Sequence, residues 1–189
     1  MTTVEAFVLV GGSSALDLVA TLGRRHAGGV ERIPDPDALA RWFVAAGVLS
    51  GPPPVTEADL RRARRLREAV AALVRSVLAG RPVDETAVRT VNACAEHPDV
   101  VPRLEVDPAG RLAGRPGPGS APAAMAGIAR DAVRVLGGPQ VRRIKECAHP
   151  DCSLVFLDET QGGRRRWCSM ERCGNLVKTA GYRARRAGR

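Results

Sequence analysis

The chain has 189 residues, 44% of them hydrophobic but only 3% aromatic, with a net charge of +9 and a pI near 10.5. That length holds one domain, or one domain and a small module, around a core made mostly of Leu, Val and Ala. No stretch approaches the ~20 apolar residues of a membrane span, and the start MTTVEAFVLVGG has no basic region ahead of its short apolar run, so the expectation is a cytoplasmic protein whose charge favours acidic partners such as nucleic acid.

In chain order, residues 5–10 read as a short strand ended by Gly11 and Gly12. Residues 14–22 read as a helix capped by Ser13 or Ser14, with Leu16, Val19 and Ala20 on one face. Residues 26–36 form a loop, and residues 37–48 a second helix with Leu39, Trp42, Phe43 and Ala46 apolar, stopped by Pro52, Pro53 and Pro54. The longest helix is capped by Thr56. Its apolar residues Leu60, Ala63, Leu66, Val70, Leu73, Val74 and Val77 recur at steps of three and four. Arg61, Arg62, Arg64, Arg65 and Arg67 fall mostly off that stripe and read as its solvated face. A fourth helix spans residues 84–96, a hairpin follows at residues 100–106 and 111–113, and a fifth helix runs over residues 123–136. Gly137, Gly138 and Pro139 mark a boundary, dividing the chain into a helical domain with a small β component at residues 1–138 and a module at residues 141–189.

The module carries the chemistry. Cys147, Cys152, Cys168 and Cys173 form two C-x4-C pairs separated by fifteen residues. In a reducing compartment, paired cysteines read as metal ligands rather than disulfides, and two close pairs suit one closed, tetrahedral, structural zinc ion. Four thiolates leave no open position for catalysis, and no C-x-x-C redox spacing occurs. Residues 141–145 read as a strand entering the first knuckle, residues 154–157 as a strand leaving it, residues 161–166 as a turn, and the segment after Cys173 as a helix. Residues 141–189 hold twelve Lys or Arg against five Asp or Glu, so most of the excess charge is concentrated beside the metal. Arg164, Arg165, Arg166, Lys178, Arg183, Arg185 and Arg186 are the expected phosphate contacts.

The stretch CAHPDCSLVFLDETQGGRRRWCSMERCGN resembles the CGNR zinc finger family, in particular at Cys147, Pro150, Cys152, Phe156, Asp158, the run from Arg164 to Ser169, and Cys173-Gly174-Asn175. The run from Ala15 to Thr21 is similar to the start of the ABATE domain that accompanies this finger. The resemblance implies an α+β protein: a mostly helical N-terminal domain plus a C-terminal treble-clef-like finger, in a bacterial stress-linked transcriptional regulator. It further implies DNA as partner, with the N-terminal domain sensing a small molecule or forming a homodimer. Two positions depart from the family pattern, Leu176 where the name-giving tetrapeptide has Arg, and Ala20 where the N-terminal signature has Asn.

Elsewhere the residues give less. Asp17 reads as a capping or solvated residue, or as a polar anchor in a ligand pocket. Cys94 reads as a small core residue, and His149, the one rival ligand inside the first knuckle, as solvent-facing or as a neighbour that supports the ligands without binding metal. His26, His97 and His149 are too scattered to build an acid–base site, so no catalytic residue is expected. Two other readings remain: an RNA-binding protein, and a pathway enzyme or small-molecule-binding protein whose zinc is purely structural.

Overall fold

A computed structural model describes residues 7–177 and residue 179. It has the expected α+β make-up, five helices and three small antiparallel two-stranded sheets among those residues. Residues 7–10 pair with no strand, so the strand expected at residues 5–10 is absent over its described part. Helix α1 (Ser14–Ala20) begins where the Ser13 hydroxyl accepts the N–H of Leu16. It stops at Ala20, earlier than its apolar pattern suggests, and the Thr21 hydroxyl donates to the Leu18 carbonyl at 2.7 Å. The chain then pairs β1 (Leu22–Gly23), which begins at the residue expected to end the helix, with β2 (Val30–Glu31), inside what the sequence presents as loop.

Helix α2 (Pro36–Ala45) has Asp35 as cap and Pro at its first position, where a missing N–H costs nothing. Helix α3 (Glu57–Leu78) opens with a reciprocal capping box between Thr56 and Asp59. Helix α4 (Glu85–Ala95), the hairpin β3 (Pro102–Val106) and β4 (Leu112–Pro116), and helix α5 (Ala121–Gly137) follow. Helices α3 and α5 form the centre, each packed on the other and on α1 and α4. Trp42 and Phe43 meet edge to face at 5.8 Å and, with Leu60, Leu66, Met125 and Ile128, are fully buried in the main core. No helix among the described residues is long and apolar enough to cross a membrane.

The arginines of α3 correct their sequence reading. Arg67 is buried, and its guanidinium donates to Glu31 at 2.8 Å, Thr21 at 3.1 Å and Glu68 at 2.9 Å. Arg64 donates to the carbonyls of Ile33 and Pro34 at 2.9 and 3.0 Å. Both lie off the apolar stripe, yet the β1–β2 hairpin folds over that side of the helix and encloses Arg67, with Arg64 half-buried beside it. Arg61 and Arg65 remain exposed.

After α5, Pro139–Arg143 form a 3-10 turn rather than the start of a strand, and only Ile144–Glu146 pair as β5 with β6 (Val155–Leu157). The alternation of this hairpin joins two cores. Ile144, Val155 and Leu157 enter the main helical core, while Leu154 and Phe156 enter a second core with Val8, Ala20 and three buried cysteines. The backbone reinforces the junction: Leu157 N–H donates to the Gly11 carbonyl at 2.8 Å, just ahead of α1.

Replacing Arg67 with Ala leaves the Glu31 carboxylate facing a buried gap. Because its two acidic partners are partly solvated, the expected cost is about 2–3 kcal/mol, read as a lowered urea midpoint. Arg61→Ala, on the exposed side, should change stability by less than about 0.5 kcal/mol.

Candidate metal centre and its basic turn

Each knuckle is shaped by backbone hydrogen bonds before any metal is considered. Cys147 N–H donates to the Leu154 carbonyl at 2.9 Å and Cys152 N–H to the His149 carbonyl at 3.0 Å, folding the first C-x4-C into a loop. In the second, the Ser169 hydroxyl accepts from Arg172 N–H at 3.0 Å, and the chain makes a π-turn over Met170–Gly174 that brings Cys173 back toward Cys168. The two knuckles meet where Ala148 N–H donates to the Arg166 carbonyl at 2.9 Å.

The four sulfurs lie within 4.8 Å of one another, and none is in a disulfide. The Sγ atoms of Cys152 and Cys168 are 3.9 Å apart, and those of Cys168 and Cys173 3.6 Å. Tetrahedral zinc–thiolate bonds of about 2.3 Å set their sulfurs about 3.8 Å apart, so the donor set fits a zinc ion. Cys168 N–H points at the Cys147 sulfur at 3.3 Å, a donor suited to a thiolate. Three of the sulfur residues are buried and Cys152 is half-buried. The closed set of four thiols makes this a structural zinc site. His149 lies outside it, accepting at Nδ1 from Asp151 N–H at 3.1 Å.

Packed this closely without a cation, thiols resist ionisation. The hydrogen bond with the Cys168 sulfur, then burial, pushes the Cys152 thiol up. Burial pushes the Cys173 thiol up to about 12, with the neighbouring Cys152 and Cys147 sulfurs adding to it. Zinc must therefore displace protons, and its hold weakens as pH falls.

A polar brace supports the turn between the knuckles. The fully buried Asp158 carboxylate accepts from Lys145 Nζ at 2.7 Å, Thr160 Oγ1 at 2.6 Å, Thr160 N at 3.1 Å and Arg165 N at 2.8 Å. The Lys145 ammonium, then the Thr160 hydroxyl, hold it well below the usual carboxylate range. Lys145 also donates to the Gly163 carbonyl. Lys145 went unremarked in the sequence, because nothing local links residue 145 to residue 158.

The three arginines of the turn are not equivalent. Arg165 turns inward, its guanidinium 4.3 Å over the Phe156 ring and donating to the carbonyls of Trp167, Leu157, Val10 and Cys168. Arg164 and Arg166 are exposed, and the Arg166 guanidinium sits 5.1 Å over the Trp167 ring. Lys178, Arg183, Arg185 and Arg186 lie outside the described residues. Leu176 is 58% exposed on the helical turn that follows Gly174.

Asp17 serves the backbone beside this centre. Its Oδ1 accepts from Gly11 N–H at 2.8 Å, where a Cβ on residue 11 would come within 2.8 Å of the Leu16 side chain. Asp131 of α5 meanwhile accepts from Ala15 N–H at 3.0 Å and Ser14 Oγ at 3.1 Å. Burial raises Asp17 to about 6, with the Asp131 charge adding to it. Ala20 is buried in the second core beside the cysteines, and Cys94 is buried against the main one. Between α3 and the β5–β6 hairpin opens a cleft of about 310 Å³, lined by Val19, Val74 and Val155 together with Arg25, His26, Arg75 and Glu146.

Elemental analysis should find about one zinc per chain, and none after Cys147→Ser with Cys173→Ser. Because β6 contributes to the helical core, the same change should also lower the thermal midpoint of the helical signal.

Asp17 predicts a pH effect of definite sign. Unfolded, it releases its proton near about 3.9; folded, it holds the proton to about 6. Between those values the folded state binds more protons, so this group's contribution to stability falls as pH rises through the window, by about 2–3 kcal/mol. Urea midpoints of Asp17→Asn and wild type, compared across that window, should shift progressively in the variant's favour.

The ABATE family, described as "Putative stress-induced transcription regulator", matches residues 12–139, and the CGNR zinc finger family matches residues 143–186. No curated protein matches the chain. With two thirds of its length covered by the first and its four-sulfur centre inside the second, the chain belongs to the ABATE family and ends in a CGNR zinc finger.

Proposed function

We propose that the chain is a transcriptional regulator that binds DNA through the face of its zinc finger carrying Arg164 and Arg166. The observation behind this reading is the division of labour in the turn. Arg165 is spent inward on four backbone carbonyls and a ring, which fixes the loop. Its two neighbours are thereby presented outward on a backbone already held by Asp158 and Lys145. Two cations on a rigid turn lose little conformational freedom when they meet phosphates. Zinc's part is to hold this surface, not to react. The basic residues toward the C-terminus, Lys178, Arg183, Arg185 and Arg186, extend the same charge along the sequence.

The cleft between α3 and the β5–β6 hairpin supports a sensing role for the helical domain. A small molecule with an apolar body and a charged end would touch Val74 and Arg75 of α3 on one side and Val155 and Glu146 of the zinc hairpin on the other. Binding there is in direct contact with the strand that leads from the first knuckle.

Titration of duplex DNA against the zinc-loaded chain across a salt series tests the DNA reading. Log affinity should fall linearly with log salt, and Arg164→Ala or Arg166→Ala should each reduce the slope by about 0.9. Arg165→Ala should instead lower the thermal midpoint. No binding at low salt, or a decisive preference for RNA in competition, would overturn the reading.

A further inference from the structure

The β3–β4 hairpin carries large apolar side chains in water. Leu104, Val106 and Leu112 are 70%, 67% and 71% exposed. The register sets Leu104 opposite Gly114 and Val106 opposite Leu112, so these three share one face with Pro102 and Pro116, while Arg103, Glu105 and Arg115 occupy the other. A two-stranded sheet alone is marginal in water. Arg103 also stands directly opposite Arg115, a like-charge pairing that disfavours the hairpin. Among the described residues, the side chains of Arg103, Glu105 and Arg115 make no hydrogen bond or ion pair.

One edge of this hairpin is open, since β3 pairs with β4 alone among the described strands. Its parity is fixed at both ends: Gly117 N–H donates to the Val101 carbonyl at 3.1 Å and Asp107 N–H to the Arg111 carbonyl at 2.8 Å. Antiparallel pairs alternate between bonded and unbonded. Residues 103 and 105 therefore turn their backbone groups toward β4, and Pro102, Leu104 and Val106 turn theirs toward the open edge.

We infer that this edge joins two copies of the chain, β3 against β3, antiparallel about a twofold axis at Leu104. In that register Leu104 faces Leu104 of the second copy, Arg103 faces Glu105, and Pro102 faces Val106. The outward parity fits. The two Leu104 residues exchange both hydrogen bonds, and each Val106 N–H meets a Pro102 carbonyl; Pro102 has no N–H to return, so the Val106 carbonyl at each end of the joint stays with solvent. The result is a four-stranded sheet. One face gathers Leu104, Val106 and Leu112 from both copies, and on the other Glu105 of the second copy lies beside Arg103 and offsets its repulsion from Arg115. The edge of β4 offers no such match: pairing about Gly114 sets Ala113 against Arg115 and Leu112 against Pro116, with no opposite charges. This joint does not depend on the DNA reading.

Sedimentation equilibrium of the full, zinc-loaded chain is expected to show a dimer. Glu105→Arg places like charges opposite each other twice per dimer and should weaken association roughly tenfold or more. Adding Arg103→Glu restores opposite charges and should restore the dimer. Leu104→Pro removes an outward N–H while leaving the β3–β4 ladder intact, and should give a monomer with wild-type helical signal. A wild-type monomer at micromolar concentration, a dimer indifferent to Glu105→Arg, or a charge-swapped pair that stays monomeric overturns the inference.

Discussion

Four sulfurs gathered within 4.8 Å are the constraint on which the C-terminal unit depends. As neutral thiols they offer one another little, and as thiolates they repel. Only a cation at their centre makes the arrangement favourable, and a unit of this size buries too little apolar surface to impose it by packing. The backbone bonds that shape the knuckles, from Cys147 to Leu154 and from Cys173 to Ser169, are local and short-range. They prepare the geometry, while the cation supplies the driving force.

Around that centre, polar groups do what apolar packing cannot. Asp158 gathers an ammonium, a hydroxyl and two backbone donors into a fully buried cluster that ties β5, β6 and the arginine turn together. Asp17 and Asp131 do the same on the helical side, fastening the loop before α1 and the first turn of α1 itself. The short helix α1 has too few turns to stand alone, and these carboxylates together with its buried Leu16 and Leu18 hold it in place. Buried carboxylates thus fasten segments whose path the helical pattern does not determine: the loop before α1 and the turn between the knuckles.

Much of this was legible in the sequence, for identifiable reasons. The helices announce themselves by three-four periodicity and by Ser13, Thr56 and the proline-rich stops, all signals confined to a few neighbouring residues. The cysteine centre is legible because ligand spacing is also local. What escaped is non-local. The inward turn of Arg165 depends on Val10, which is distant in sequence. The burial of Arg67 depends on the β1–β2 hairpin, whose two-residue strands carry no periodic pattern at all. Asp17 showed its two possible roles in sequence, but its partner at Gly11 emerges only once α1 is formed. A run of three arginines reads as one charged patch, whereas the fold turns one of them into a structural strut.

The alternation of β6 has a consequence for the life of the protein. Val155 and Leu157 close the wall of the helical core while Phe156 lies behind the cysteines. Loss of zinc would therefore reach past the C-terminal unit, because the hairpin it holds supplies part of the main core. Zinc scarcity would be felt as a folding defect and handed to the proteases that remove open chains. The cell's metal supply would then set how much of the protein persists, as well as how well it is built.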